Sequence, residues 1–310
     1  MAGAIRHRAA AMADEGVEVV AGAFAVILLQ VIAGGLLLGA VYALFSSGLS
    51  LIWGMMNFIN FAHGEFVMLG MYVALVTVQW VGGGPAVFGL AAALGLFILG
   101  VAIYFALIRE VMRGPMLAQI LSTFGLALLL RYAAFFVFSP NFVTLPQTAL
   151  TGTIDIAGIL LGVPQLVGAV VAAALTLGMH LLLTRTAIGS QLLAVAEDRS
   201  AAMLMGIRPD RMQALAWGLS AASAGIAGAL IAVAYPFSPS VGETFALTAF
   251  VVVTLGGFGS VPGAALAGLI VGVIQGLSAY YFGPVYKDIV VYGLFVALLW
   301  FRPQGLLGTA

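Results

Sequence analysis

From Val19 to Gly64 the chain carries no Asp, Glu, Lys or Arg. A membrane crossing needs ~20 apolar residues, so this stretch is too long for one span and too apolar for the surface of a soluble domain. It predicts a first span at about Ile27 to Ser47, with Gly34, Gly35 and Gly39 on a face suited to close helix contact, followed by an irregular segment. The remainder keeps the same character. With 63% apolar and 7% charged residues, and 40 glycines in 310 positions, the chain lacks the polar surface a soluble protein of its size requires. The predicted class is all-α: a polytopic transmembrane helix bundle of about eight to nine spans with broken or re-entrant helices.

Turn signals divide the rest. Span two is predicted from Glu65 to Val81, ending at Gly82-Gly83-Gly84-Pro85, and span three from Ala86 to Ile108, stopped by Arg109, Glu110 and Arg113. Span four covers Leu117 to Phe138 and contains Arg131, for which snorkelling to the outer interface is the default and pairing with a carboxylate the alternative. Ser139 to Val163 reads as a mixed loop. Span five starts at Pro164, a favourable first-turn residue. Span six runs from Met212 to Tyr235 with Ser220, Ala224, Gly225 and Gly228 on one side. Two apolar pieces, Phe245 to Leu255 and Ala264 to Phe282, flank Gly256 to Gly263; the first is short for a full crossing and reads as broken or re-entrant. Ile289 to Phe301 is the last span. Residues 1–24 read as a mobile polar tail and 25–310 as the membrane domain, with a polar loop at 184–211.

That loop is the one long polar island between hydrophobic runs. Arg185, Glu197, Asp198, Arg199, Arg208, Asp210 and Arg211 lie in it, so it sits in water. Leu192, Leu193, Val195 and Ala196, then Ala201, Met203 and Leu204, recur at helical spacing beside a charged edge at Glu197, Asp198 and Arg199. This predicts a short amphipathic surface helix stopped by Gly206 and Pro209. Two arrangements fit it: a helix that docks a partner, or one that rests on lipid headgroups. Nine crossings put Arg109, Arg113, Arg185, Arg199, Arg208, Arg211 and Arg302 on the island's side, which the positive-inside rule makes cytoplasmic; Arg6 and Arg8 then fall outside.

Asn57, Asn60, His63 and Glu65 interrupt the hydrophobic run after span one. Amides and carboxylates at a helix break face protein or water rather than lipid, so these residues are candidates to line a translocation path. The competing reading, and the first expectation, is that Asn60 and Glu65 cap a helix beginning near Gly64; Glu243 has the same two readings. Gly256, Gly257 and Gly259 fit a hinge at the path or, as first expectation, a tight turn between helices. Gly64-Glu65 recurs as Gly242-Glu243 at an offset of 178 residues, each pair opening an apolar run. Five predicted crossings lie between the two pairs, so the two halves would point opposite ways, a possible inverted repeat.

Several classes are excluded. No Gly-Lys-Ser/Thr phosphate loop, Gly-x-Ser-x-Gly elbow or His-Glu-x-x-His helix is present, so no catalytic residue or cofactor is expected. Zero cysteines and three scattered histidines, His7, His63 and His180, offer no metal site. A formal net charge of zero argues against nucleic acid, and leaves membrane lipid as the surrounding partner.

These residues resemble a known family, the membrane permeases of branched-chain amino acid ABC importers of the high-affinity LIV type. GLSLIWGMMNFINFAHGEFVMLGMYVA (Gly48 to Ala74), and in it Asn60-Phe61-Ala62-His63-Gly64-Glu65, looks like the family's first signature. Ala194-Val195-Ala196-Glu197-Asp198 with Ala201-Ala202 and Gly206-Ile207 is similar to its cytoplasmic loop. Leu255 to Gly263 is similar to a third signature, and Tyr286-Lys287-Asp288 with Pro303-Gln304-Gly305 to the C-terminal pattern. The resemblance implies a subunit of the bacterial inner membrane moving branched-chain amino acids or a related small polar solute. The implied partners are a second related permease, ATP-binding subunits that hydrolyse ATP, and a periplasmic solute-binding protein. It turns the island into an ATPase-coupling helix carried by Glu197, Asp198, Arg199, Ala201, Ala202 and Gly206. The other classes weighed are an ATP-independent secondary transporter or channel, and an intramembrane scaffold.

Overall fold

Long runs of Ala, Leu, Val and Gly with few breakers form helices in an apolar solvent because every backbone N–H and C=O must be bonded within the segment. The computed structural model describes residues 2–146, 150–301 and 304–307, with side chains from residue 22 onward. Eleven helices follow in order: α1 (Ala2–Met56), α2 (His63–Trp80), α3 (Pro85–Val111), α4 (Met116–Phe138), α5 (Val163–Arg185), α6 (Ala187–Glu197), α7 (Arg199–Leu204), α8 (Pro209–Ala234), α9 (Val241–Gly256), α10 (Val261–Phe282) and α11 (Lys287–Phe301). Six of them, α1, α3, α4, α5, α8 and α10, are long and apolar enough to cross a membrane. The fold is thus the all-α polytopic bundle expected. Backbone helix continues through the polar N-terminal stretch that the sequence suggested as a tail, in keeping with its alanine content.

The direction of each helix follows from its end contacts. The Gln30 side chain, midway along α1 and near the start of its apolar span Gly22–Met56, bonds the backbone of Leu160 through both amide atoms, on a β-hairpin of β1 (Thr153–Ile156) and β2 (Ile159–Gly162). At its other end Leu51 and Met55 pack with Leu192, Val195 and Ala202 of the island. The hairpin lies in the segment expected to be a mixed loop; Ala157 and Gly158, both at positive φ, form its turn.

After α1 ends, residues 57–62 turn back into the bundle. His63 opens α2 level with Phe45, whose carbonyl accepts from its Nε2, about 16 Å back along α1 at 1.5 Å per residue. The same happens in reverse in the second half. α8 leaves the island side, residues 235–240 return, and α9 begins at mid-depth before running back to the island side, where Gly259 meets Gly54. α1 ends at Met56 and α8 at Ala234, again 178 residues apart, and the pairs Gly64-Glu65 and Gly242-Glu243 share that offset. The short echo in the sequence therefore corresponds to a structural one. Each half is a full crossing, a half-helix starting in the interior, and a full crossing back, with opposite directions in the two halves.

Glycines set the helix spacing. Gly35 and Gly39 of α1 lie against the backbones of Gly272 and Gly268 of α10, so an added Cβ at either would sit 2.8 Å from a carbonyl oxygen. Gly70 of α2 meets Gly225 of α8, and Gly228 meets Val67. Close approach of this kind is how helices associate where water supplies no hydrophobic drive. Gly34, expected on the same face, touches nothing within 4 Å.

Candidate functional site

The half-helices α2 and α9 start beside each other. Gly64 packs on the backbone of Gly242 and Ala246, and Gly242 in turn lies under the Glu65 carboxylate. A glycine precedes each glutamate because one lets the other helix in and the other leaves room for the acid. Arg131 of α4 closes the arrangement. Its Nε and Nη2 donate to Glu65 Oε1 at 3.0 and 2.6 Å, and its Nη1 donates to Glu243 Oε2 at 2.9 Å.

Both acids stand in the first turn of their helices, where the dipole favours negative charge, but neither caps. The N-cap positions of α2 and α9, Ala62 and Ser240, have no side-chain cap bond. The carboxylates go to Arg131 instead, and Arg131, expected by default to snorkel, is held by both. Its side chain is 18% exposed and that of Glu65 1%, while Glu243 is 66% exposed. A lone arginine inside an otherwise uncharged span is a sequence signal that some acid can lie at its depth, although not of which one.

The path candidates fall into two groups. Asn60, His63, Glu65 and Glu243 lie at the level of the crossing. Asn60 Oδ1 accepts from Ala62 N at 3.0 Å, a local turn rather than a helix cap, and its Nδ2 has no partner among the described residues. His63 donates from Nε2 to Phe45 O, with Nδ1 3.5 Å from Ser220 Oγ. Asn57, Gly256, Gly257 and Gly259 belong to the island end. There residues 257–260 make a tight turn with Gly257 and Gly259 at positive φ, and Phe258 stacks near Trp53 with ring centroids 4.4 Å apart. The backbone N–H groups of Leu306 and Leu307 donate to the carbonyls of Leu255 and Gly256, so the C-terminal pattern serves the end of α9. Sequence reasoning gave no hint of that contact.

The island is two helices rather than one. Asp198 ends α6 and caps α7, its Oδ1 accepting from Ser200 N and Ala201 N at 2.8 and 3.0 Å. Those two bonds hold its carboxyl below the usual carboxylate range. The cap is therefore complete at neutral pH and is lost only as acidification passes that lowered value. Thr186 caps α6 through Gly189 N. Leu192, Val195 and Ala202 face the bundle, whereas Leu204 and Met205 are 89% and 82% exposed. Gly206, at positive φ, ends α7, with Ile207 N donating to Ala202 O. Arg199 and Arg109 both bind Asp210, each at 2.8 Å, so the start of α7 is tied to the ends of α3 and α8. Glu197 is exposed. Asp198→Ala should therefore fray α7 and raise proteolysis between Glu197 and Gly206 without unfolding the spans; unchanged cleavage there would remove the capping role.

Buried polar groups at a helix crossing, interior half-helices and a water-facing handle define a membrane permease. Residues 31–299 match the family described as branched-chain amino acid transport system / permease component. The chain is 31% identical over 293 residues to the high-affinity branched-chain amino acid transport system permease protein BraD of Pseudomonas aeruginosa, covering 90% of this chain and 95% of that one. It is 31% identical over 298 residues to LivH of Escherichia coli K12, with 90% and 95% covered. To LivM of the same organism it is 28% identical, covering 86% of this chain and 68% of LivM. Among solved structures, PsaBC from Streptococcus pneumoniae in complex with Fab aligns with a TM-score of 0.50 at 12% identity, covering 88% of this chain and 92% of that one, a likeness of fold. The chain belongs to the branched-chain amino acid ABC permease family and is a multi-pass transport subunit.

Proposed function

We propose that this chain is one of two permease subunits of an ABC importer in the bacterial inner membrane, passing branched-chain amino acids received from a periplasmic binding protein. ATP is hydrolysed by separate subunits that grip α6 and α7 on the cytoplasmic side. The observation that carries the reading is the Arg199–Asp210–Arg109 tie: force applied to the start of α7 reaches α3 and α8 directly, and α8 packs on the half-helix α2. Movement of the docked helices is then movement of the interior crossing. The polar face of α2, α4 and α9 lines the path, because a carboxylate as exposed as Glu243 faces water or a second subunit rather than lipid.

Glu197, Asp198, Arg199, Ala201, Ala202 and Gly206 shape the coupling segment, with Asp198, Arg199, Ala202 and Gly206 setting its fold. The contact itself is made by the apolar tip at Leu204 and Met205. Replacing both with glutamate is expected to release the ATPase subunits on purification, since buried apolar tips dominate such interfaces. The permease should still assemble, because neither side chain supports the bundle. Full co-purification with ATP-driven leucine uptake intact would overturn the docking role.

A further inference from the structure

Arg131, Glu65 and Glu243 form a closed charge set. Two carboxylates face one guanidinium, and the N-termini of α2 and α9, each equivalent to about half a positive charge, supply the difference. A solute carrying net charge would upset this balance beside the Arg131–Glu65 pair, which is buried and therefore little screened by water. One part of the set is also accessible: the Arg131–Glu243 bridge has an exposed carboxylate, while the Arg131–Glu65 bridge is buried. Beside them Glu65 Oε2 is buried, has no partner among the described residues, and points into the first turn of α9, 2.2 Å from where a Cβ on Gly242 would lie.

We propose that the passing solute opens the Arg131–Glu243 bridge by inserting into it as a zwitterion. Its carboxylate takes Arg131 Nη1, and its ammonium donates to the Glu243 carboxylate. Glu65 Oε1 keeps Nε and Nη2 throughout, so Arg131 stays in place while one of its nitrogens changes partner. Every charge remains paired at each moment, which a free amine, a free acid or a neutral amide cannot achieve. The inference rests on the permease reading above and adds to it the two groups that would hold the solute's opposite charges. Arg131 and Glu243 become specificity-determining residues.

The chain has no cysteine, so Thr244→Cys, next to Glu243 and exposed, provides a single reporter thiol on it. In the complete transporter, reconstituted in nanodiscs, leucine is expected to slow labelling of that thiol by a small methanethiosulfonate. Isocaproate, which lacks the ammonium, and isoamylamine, which lacks the carboxylate, should not protect. Adding Glu243→Gln should raise the leucine concentration for half-protection by about tenfold or more, the scale of one charge-assisted hydrogen bond; Glu243→Asp should recover part of it. Should Glu243→Gln fail to assemble, the three-ligand comparison on Thr244→Cys alone decides. Equal protection by all three compounds, or none by leucine, overturns the insertion model. If the transporter still takes up leucine under ATP in that case, the permease reading survives; absence of any leucine uptake by the unaltered assembly sinks the solute assignment instead.

Discussion

Arg131→Met is expected to lower the stability of the solubilised permease by about 3–5 kcal/mol, the cost of leaving a buried carboxylate without its partner. Glu65, 1% exposed, takes two of the three Arg131 bonds, so it bears most of that cost. Glu65→Gln in the same chain should therefore recover the larger part, because the remaining amide carries no charge to strand. Thermal unfolding of the four proteins in one detergent gives the coupling directly. Additive losses, with the double variant as weak as the sum of the singles, would show that the two side chains do not pair in solution. Arg131→Lys should fall between, since one ammonium cannot reproduce a guanidinium that spans two acids.

Gly64→Ala is expected to be nearly as damaging, about 3 kcal/mol or more, at the upper end for overpacking. The added methyl would lie 2.1 Å from the Gly242 carbonyl oxygen and 2.3 Å from Ala246 N. Both are backbone atoms of a helix and cannot rotate away, so α2 and α9 must separate and pull their glutamates off Arg131. Gly34→Ala is the control. Nothing lies within 4 Å of its Cβ position, and alanine outranks glycine in a helix by ~1 kcal/mol, so that variant should be neutral or slightly more stable. Equal effects of the two substitutions, read by thermal unfolding and by yield from the membrane, would contradict the close crossing.

The spans were legible because apolar length and turn residues report on local backbone needs: Gly82 to Pro85, Pro164 and Gly256 to Gly263 each mark an end that the structure keeps within a few residues. The half-helices were visible as shortness and as misplaced polar residues around Asn60 and His63. What the sequence does not display is which distant groups meet. Arg131 lies 66 positions from Glu65 and 112 from Glu243, and its pairing depends on three helices arriving at one depth. Asp198 reads as one charge in a charged edge, and only its dihedral position makes it the break between α6 and α7. The β-hairpin at Thr153–Gly162 was hidden because its strands are too short for alternation to register.

The amides of Leu306 and Leu307 complete the last turn of α9, although fifty residues of chain separate them from it in order of synthesis. The half-helix α9 can thus be closed only once the two helices that follow it, α10 and α11, have been made, so the completion of one interior element waits on chain that comes later in order.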